Sequence, residues 1–449
     1  MPDYKGRFQL TRSGTVAAEG PCRLEFDQEN FTLVPAGGAS LSVDLADFDW
    51  LRAADLEIRG GLYTGEELLL THLGKLFTEC SEKLRSAWTE RLVRALLLSD
   101  LPLLDTFRGG FRRLDGAGQD PQPCEIRVYE TGLAVLPEQS PPFHLRLSDV
   151  VSEQFDASIW EVRLTTRRGN LAFGRLAKRS DLFHQTLGRA LGNLRALSSK
   201  ALRDLFPFLT PAAFQKLDAA WQEGTVISRG ALEAIDPRLW LAFLNRAVDR
   251  NHQPYAEHLV ALSEAALIHV SFKRVRPERE ADAAEEAEAS GEEGPALEPG
   301  GAAADGAGQQ EAEGEQFIYS FFFPISEGGA PRNLVAQEVT SAGGRATYWF
   351  RLLEQAEYAR STARAAREGL PASLEQLNSA LALLNFRREP IYLSEADIYA
   401  HPRRRPYAIA LRRIPELRAV RQRFLARSIH SSLDAWKKQV DAVLARGDL

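Results

Sequence analysis

The feature that most constrains the fold of this chain is an internal repeat. Residues 22–26 (CRLEF) are matched 102 residues later by residues 124–128 (CEIRV), and residues 31–35 (FTLVP) are matched by residues 133–137 (LAVLP). In each copy the two stretches have the composition and length of two β-strands joined by a short turn. A chain that repeats one pattern of strands folds into two copies of one structural unit.

The turn of this hairpin is marked by one residue in each copy, Asn30 in the first and Gly132 in the second. Asparagine and glycine tolerate a positive φ better than other residues do. We therefore predict a β-hairpin in each copy.

The repeat continues through further strands and ends in a helix. Apolar residues alternate with other residues at matching positions of the two copies, namely Leu41, Val43, Leu45, Phe143, Leu145 and Leu147. Apolar residues at spacings of three and four then mark one helix face in each copy: Phe77, Cys80, Leu84, Trp88, Leu92 and Leu96 in the first, and Phe183, Leu187, Leu191, Leu194 and Ala201 in the second. We predict two repeats, residues 1–105 and 106–207, each with about six or seven short antiparallel strands and one closing amphipathic helix.

This order of elements over residues 1–207 resembles the pleckstrin-homology-like (PH-like) barrel, a strongly bent antiparallel sheet closed by a C-terminal helix. The resemblance implies an α+β fold with two β-barrel or sandwich units, each closed by its own helix. It also implies a binding module rather than an enzyme. Such a module takes a protein or peptide partner in a groove between sheet and helix or at an exposed sheet edge.

Some members of this family bind phosphoinositides through basic residues on the first two strands and the loop between them. Basic residues occur in the corresponding parts of both copies: Lys5, Arg7, Arg12, Arg23, Arg108, Arg112, Arg113 and Arg127. The lipid-binding pattern ends in a basic-x-Arg run on the second strand, whereas this chain has RLE at residues 23–25 and EIR at residues 125–127. Each copy breaks the pattern in a different place, so the sequence does not predict specific phosphoinositide recognition. The residues that remain candidates for binding an anion or a partner are Lys5, Arg7, Arg108, Arg112 and Arg113.

The remainder of the chain has mixed α and β character. Prolines that precede apolar-periodic runs predict helix starts, with helices near residues 211–222, 228–235, 237–249 and 254–266. Strand-like runs lie near residues 267–272, 317–324, 333–339 and 345–351, and further helices are predicted near 353–368, 371–386, 415–431 and 433–446. We predict a helical connector over residues 208–266 and an α+β C-terminal domain over residues 267–449.

An acidic tract interrupts this C-terminal domain. Residues 277–316 carry 13 acidic residues and one basic residue, a net charge of −12, and nearly no large apolar residues. The whole chain has 55 basic and 61 acidic residues, so the part outside the tract has 54 basic and 48 acidic residues and is mildly basic. Such a composition cannot bury enough apolar surface to fold. We predict a disordered insertion that joins two strands of one sheet.

The end of the chain is rich in arginine. The last 49 residues hold 12 basic and 4 acidic side chains, a net charge of +8. The candidates for an anion or partner surface are Arg403, Arg404, Arg405, Arg412, Arg413, Arg418 and Arg421. One interpretation is a solvated arginine surface on a packed helix. The other is a surface for nucleic acid, for an acidic partner, or for the acidic tract of this same chain, which would then compete with anionic ligands.

Motifs of known catalytic, nucleotide or metal sites are absent: the sequence has no GxxxxGK[ST], no GxGxxG after a strand, no GxSxG, no HExxH and no CxxC. Asp44, Asp47 and Asp49 lie close together but lack the glycine turn and closing glutamate of a calcium loop, so we interpret them as a solvated turn. Cys22 and Cys124 occupy equivalent strand positions and are interpreted as small buried apolar residues. We therefore predict no catalytic residue, no cofactor and no metal.

The composition favours a cytoplasmic protein. The chain has three cysteines, no apolar run after its first residues and no run that approaches 18 apolar residues. Its arginine-, alanine- and leucine-rich, lysine-poor composition is typical of a GC-rich bacterial genome. Our main hypothesis is a non-enzymatic scaffold that binds a protein or peptide through its tandem repeats. The alternatives are a nucleic-acid-associated protein that uses the arginine-rich C-terminal segment, and an enzyme with a site between the repeats and the C-terminal part.

Overall fold

The computed structural model describes most of the chain and divides it into two compact units. The described residues are 4–98, 101–114, 120–138, 140–275, 316–328, 330–340, 346–353, 363–384, 387–401 and 404–446. Unit 1 comprises Met1–Ala196 and Leu393–Arg418, and unit 2 comprises Leu197–Tyr392 and Ala419–Leu449. We call residues 393–418 the strap, because this segment returns to unit 1 from the middle of unit 2.

Repeat 1 of unit 1 is a bent antiparallel sheet followed by a helix. Its elements are β1 (Tyr4–Arg12), β2 (Thr15–Phe26), β3 (Asn30–Pro35), β4 (Leu41–Asp44), β5 (Phe48–Ala54), β6 (Glu57–Leu62), β7 (Glu66–Thr71) and α1 (Phe77–Ala95). Among the described residues the sheet has seven strands in the order β4-β3-β2-β1-β7-β6-β5, and each pair of neighbours is antiparallel.

Repeat 2 has the same architecture. Its elements are β8 (Leu103–Arg113), β9 (Gln122–Tyr129), β10 (Gly132–Pro137), β11 (Phe143–Arg146), β12 (Val150–Asp156), β13 (Glu161–Thr166), β14 (Gly169–Gly174) and α2 (Ser180–Leu205). The strand order of its described residues is β11-β10-β9-β8-β14-β13-β12, which is the order of repeat 1 strand for strand. The predicted fold class is confirmed: the chain is α+β, with two repeated antiparallel sheets that are each followed by a helix.

Equivalent glycines show how closely the two repeats correspond. A Cβ on Gly6 would lie 2.7 Å from the carbonyl oxygen of Thr71, and a Cβ on Gly109 would lie 2.7 Å from that of Gly174. No side chain fits at that distance, so the first strand of each repeat needs glycine where it lies against the last strand, its neighbour in the sheet.

The predicted hairpins are confirmed: β2 pairs with β3, and β9 pairs with β10. Asn30 and Gly132 each begin a strand, and neither is among the described residues with a positive φ. In repeat 1 the turn is held by Asp27, whose carboxylate accepts the backbone N–H of Glu29 and of Asn30, both at 2.7 Å. A Cβ on Gly132 would lie 2.3 Å from Nε2 of His144, so a larger residue there would displace the imidazole.

The helix of each repeat closes the core of its own sheet. The predicted apolar faces are buried in these cores, with Cys80, Leu84, Trp88 and Leu92 in repeat 1 and Phe183, Leu187 and Leu191 in repeat 2. Burial of each large apolar side chain contributes about 1.5–3 kcal/mol. Cys22, Cys80 and Cys124 are also buried, and burial raises the pKa of Cys22 to about 11 and those of the other two thiols to about 12. The interpretation of Cys22 and Cys124 as small apolar residues is confirmed.

Both repeats carry a β-bulge at the start of an edge strand. The register of β5 with β6 shifts between Phe48 and Trp50, and the register of β12 with β13 shifts between Val150 and Ser152. Asp49 in repeat 1 and Val151 in repeat 2 are therefore the extra residues. A bulge leaves one residue out of the ladder and changes the direction of its side chain, so the two repeats present different chemistry at one shared position.

Unit 2 is built around a third antiparallel sheet. Its strands, in sheet order for the described residues, are β15 (Ile227–Ser228), β16 (His269–Val275), β17 (Gln316–Glu327), β18 (Ala330–Thr340), β19 (Ala346–Phe350) and β20 (Phe424–Ile429). The helices after α2 are α3 (Pro211–Ala220), α4 (Arg229–Ile235), α5 (Leu239–Ala247), α6 (Gln253–Ala261), α7 (Ala363–Leu383), α8 (Glu389–Tyr392), α9 (Glu395–Ala400), α10 (Arg405–Arg413), α11 (Pro415–Arg423) and α12 (Leu433–Arg446). One face of the sheet packs into an aromatic core that includes Trp221, Phe243, Phe272, Phe321 and Trp349.

Two helix predictions in this half are wrong. The helix predicted over residues 415–431 ends at Arg423, and the chain continues as β20, where Trp349 donates a hydrogen bond to the Ser428 hydroxyl at 3.0 Å. The two helices predicted on either side of Pro371 are one helix, α7, over its described length. A proline inside a helix removes one hydrogen bond, but the apolar stripe runs through it and its members are all buried: Leu370, Leu374, Leu377 and Leu381.

The two strands that flank the acidic tract are neighbours in this sheet. Val275 of β16 is paired with Gln316 of β17, so the tract joins two antiparallel strands as the sequence predicts. All but Gln316 of the predicted disordered insertion, residues 277–316, lies outside the described residues, and Gln316 is the first residue of β17. Among the helices that the structure describes, none is both long enough and apolar enough to cross a membrane.

Candidate functional site

The candidate site lies at the free edge of the repeat 2 sheet. Strand β12 is the last strand of this sheet and, among the described residues, pairs only with β13. The other side of β12 therefore presents backbone N–H and C=O groups that a further strand can pair with. The bulge residue Val151 is 56% exposed on this strand. A free edge with an exposed apolar side chain is typical of a surface that pairs with another chain.

A ladder of aromatic rings lies beside this edge. The ring of Phe155 on β12 stacks on His184 of α2, with centroids 5.0 Å apart and planes 16° apart. Trp160 meets Phe155 edge-on, with centroids 6.1 Å apart, and is 52% exposed. The carboxylate of Glu153 lies 2.7 Å from Nδ1 of His184 and fixes the orientation of that ring. We call Val151, Glu153, Phe155, Trp160 and His184 the edge surface of repeat 2.

The turn that carries Trp160 has an unusual backbone. Trp160 has a φ of 55°, in the left-handed region that bulky residues rarely adopt. The turn is held by Asp156, whose carboxylate accepts the hydroxyl and the backbone N–H of Ser158 at 2.5 and 3.0 Å. These hydrogen bonds lower the pKa of Asp156. The turn thus holds a large aromatic ring half-exposed in a fixed position, and strain of this kind concentrates at functional sites.

Ion pairs stabilise the strands next to this edge. Glu161 accepts hydrogen bonds from Arg163 at 2.8 Å and from Arg112 at 2.9 Å. Burial acts to raise the pKa of Glu161, but the hydrogen bonds from the two arginines outweigh it and lower the pKa. An open depression beside these groups is lined by Gln154, Phe155, Asp156, Ala157 and Arg163.

The strap contacts the start of the equivalent edge strand in repeat 1. Arg412 lies 3.3 Å from the carboxylate of Asp47, and Arg413 forms an ion pair with Asp49 at the bulge position. Ile409 of α10 is buried against Ala46 and Ala95 of repeat 1. In repeat 1 the carboxylates at this position are therefore already paired with arginines of the strap, whereas repeat 2 presents exposed apolar and aromatic side chains.

The structure disperses the basic residues that the sequence singles out. Lys5, Arg7, Arg108 and Arg113 are exposed on the equivalent strands β1 and β8, with Arg108 3.9 Å from Glu125 and Arg113 over the ring of Phe143. Arg112 instead binds Glu161.

The arginines of the C-terminal segment are divided between the two units. Arg404, Arg405, Arg412, Arg413 and Arg418 belong to unit 1, and Arg421 belongs to unit 2, where it donates to the carbonyl oxygen of Pro390 at 3.0 Å. Arg418 is exposed, Arg405 lies over the ring of Tyr399, and Arg403 is outside the described residues.

The interpretation of Asp44, Asp47 and Asp49 as a solvated turn is wrong. Asp44 is 6% exposed and pairs with Arg91, and the other two carboxylates face strap arginines. The sequence did not single out the edge surface of repeat 2, because nothing in it shows that β12 is an edge strand. Within the part of the chain that the structure describes, no three histidine, cysteine, aspartate or glutamate side chains are placed to hold a metal ion.

Comparison with known proteins does not assign this chain to a family. No protein-family model matches the chain. No curated protein matches it either. Among solved structures, the chain is similar to the structure of the Spt16D–Pob3N heterodimer, with 14% sequence identity and a TM-score of 0.16 over 38% of this chain and 86% of that one. The fold assignment therefore rests on the strand order and register of the chain itself.

Proposed function

We propose that this protein is a non-enzymatic scaffold whose tandem PH-like repeats bind a partner protein, and that the edge surface of repeat 2 is the binding site. The PH-like assignment is supported by the shared strand order of the two sheets and by the helix that closes each of them. The observation that carries the binding site is the half-exposed aromatic ladder beside a free sheet edge.

The proposed mode of binding is addition of a partner strand to β12. Backbone hydrogen bonds along the strand supply affinity, and side-chain contacts supply specificity. Trp160 is the expected energetic centre, because exposed tryptophan held rigidly at a surface loses little conformational entropy on binding and buries a large area. Removal of such a residue typically costs about 2–4 kcal/mol of binding free energy.

The experiment is co-purification of a stoichiometric partner by the full chain and by matched variants. Trp160→Ala removes the proposed centre, and Val151→Lys places a charge on the free edge, which blocks strand addition. Leu56→Ala is the control, because Leu56 is 68% exposed in the corresponding turn of repeat 1 and also has a positive φ, 61°.

We expect the partner to be retained by wild type and by Leu56→Ala and to be reduced at least about tenfold by each repeat 2 variant. Equal recovery by wild type and both repeat 2 variants would contradict the proposed site. The nucleic-acid alternative is less well supported, because Arg412 and Arg413 are already engaged by carboxylates of this chain.

A further inference from the structure

The turn before β5 in repeat 1 and the equivalent turn before β12 in repeat 2 carry opposite charges at one position. In repeat 1, Asp44 precedes a short 3-10 turn and accepts two hydrogen bonds from Arg91 of α1, at 2.6 and 2.9 Å. In repeat 2 the same position is Arg146, and it donates to Asp149 at 2.6 Å. A carboxylate thus replaces a guanidinium at one position of two otherwise equivalent turns.

This reversal leaves one carboxylate of repeat 1 without an arginine from its own turn. Asp149 of repeat 2 is buried, which acts to raise its pKa, but Arg146 and Arg168 outweigh burial and lower it. Its counterpart Asp47 has the opposite outcome: burial and the neighbouring Asp44 raise its pKa, and Arg412 and Arg413 of the strap offset this only in part. Repeat 1 therefore carries a carboxylate that needs an arginine from elsewhere.

The strap supplies that arginine and a second one beside it. Arg412 faces Asp47 and lies between two aromatic rings, 5.2 Å from the centroid of Tyr63 and 5.6 Å from that of Tyr399. Its neighbour Arg413 pairs with Asp49 and also donates to the carbonyl oxygen of Ala46. The side chain of Arg413 is only 7% exposed.

The strap also carries buried apolar side chains. Ile409 packs with Ala46 and Ala95 of repeat 1, and Ile398, Leu411 and Leu417 are each at most 2% exposed. One further ion pair joins Glu416 to Arg168 of repeat 2 at 2.6 Å. Buried ion pairs gain their Coulombic energy at a large desolvation cost, so the arginine–carboxylate pairs add specificity to this contact more than strength. The strap belongs to unit 1, although the residues that precede and follow it in the sequence belong to unit 2.

We propose that the strap is a tethered ligand of repeat 1. It occupies a surface, formed by Asp47, Asp49, the Ala46 carbonyl and Tyr63, that recognises two adjacent arginines on one helix. While the strap is docked, this surface is closed. A partner segment that presents adjacent arginines on a helix binds there when the strap is released. The surface consists of residues other than those of the repeat 2 edge surface, so it does not depend on the function proposed above.

The test uses the full chain and a labelled synthetic peptide of residues 393–418. The variant Arg412→Glu/Arg413→Glu places two carboxylates opposite Asp47 and Asp49 and releases the strap. Arg418→Glu is the matched control, because Arg418 is exposed at the end of the same segment. Fluorescence anisotropy then measures binding of the peptide to wild type, to the double variant and to the control.

We expect the peptide to bind the double variant at least about tenfold more tightly than wild type, because a tethered competitor acts at a high effective concentration. The Arg418→Glu chain should bind as wild type does. A peptide in which both strap arginines are replaced by alanine should bind at least about tenfold more weakly to the double variant. Equal affinity of wild type and double variant, or binding that does not require the arginines, would overturn the proposal.

Hydrogen exchange of the wild-type chain gives a second test, which does not depend on whether any variant folds. Screening by salt weakens partly exposed ion pairs, so the amides of α10 should exchange at least about threefold faster in 1 M than in 0.1 M salt. The amides of α1, whose contacts are mainly apolar, should exchange at similar rates at the two salt concentrations. Equal salt dependence of the two helices would also count against a contribution of the two arginine pairs to docking of the strap.

Discussion

Replacement of Arg91 by leucine tests the charge reversal between the repeats. The side chains of Arg91 and Asp44 are only 3% and 4% exposed, and the guanidinium makes two hydrogen bonds to the carboxylate. Arg91→Leu leaves a buried carboxylate whose remaining hydrogen bond comes from the backbone N–H of Ala46. Loss of one partner from a buried pair costs about 3–5 kcal/mol, mainly because the other charge stays desolvated.

Repeat 2 indicates which second substitution should restore the stability that Arg91→Leu removes. The position that corresponds to Arg91 is Leu194, which packs against the core of repeat 2, and the position that corresponds to Asp44 is Arg146. The double variant Asp44→Arg/Arg91→Leu therefore gives repeat 1 the residues of repeat 2. Its new arginine should pair with Asp47 as Arg146 pairs with Asp149. We expect the double variant to lie within about 1.5 kcal/mol of wild type.

Hydrogen exchange under native conditions is the appropriate assay, because it assigns a free energy of opening to β1–β7 separately from the rest of this two-unit chain. The wild-type chain, the single variant and the double variant are compared at one pH and salt concentration. A cost below about 1 kcal/mol for Arg91→Leu would refute the claim that the pair neutralises a desolvated carboxylate. A double variant as unstable as the single variant would refute the equivalence of the two turns.

The remaining predictions concern stability and reactivity. Gly109→Ala should lower the melting temperature of unit 1 by several degrees, since its Cβ would lie 2.7 Å from a backbone carbonyl oxygen. Gly192→Ala, a change inside α2 where a Cβ meets nothing within 4 Å, should stabilise the chain by up to about 1 kcal/mol. Asp149→Asn should destabilise repeat 2 at pH 7, and its difference from wild type should shrink as the pH falls below 3.8, because a lowered carboxyl pKa contributes stability that is lost on protonation. Asp47→Asn, where the pKa is raised, should not destabilise repeat 1 at pH 7 when opening is followed by hydrogen exchange. The three buried cysteines should resist a thiol reagent in the native chain and all react in denaturant, as absorbance of the released thiolate would show.

Local patterns in the sequence predict the repeats well. The matched segments at residues 22–26 and 124–128 are the equivalent strands β2 and β9, and the apolar helix faces are buried as their spacing indicates. These features are predictable because strand alternation and helix periodicity report directly on which side chains face a core. The sheet that flanks the acidic tract is predictable for the same reason.

Non-local geometry is not predictable in this way. The strap arginines lie more than 360 residues along the chain from their carboxylate partners, with separations of 365 and 364 residues. A run of basic residues has the same appearance in sequence whether it faces solvent or a carboxylate. Likewise, β20 is extended because the third sheet has an edge that accepts it, although residues 415–431 have a helical pattern. The edge surface of repeat 2 also depends on strand order, which periodicity does not reveal.

The interleaved path of the chain has a consequence for biosynthesis. A ribosome translates all of repeat 1 and most of repeat 2 before it begins unit 2, yet Arg412 and Arg413 emerge only after residue 392. At about 5–20 residues per second, the roughly 200 intervening residues take about 10–40 s to translate. During that interval the nascent repeat 1 displays Asp47 and Asp49 without their arginines, and only a chain translated past Arg413 can cover them.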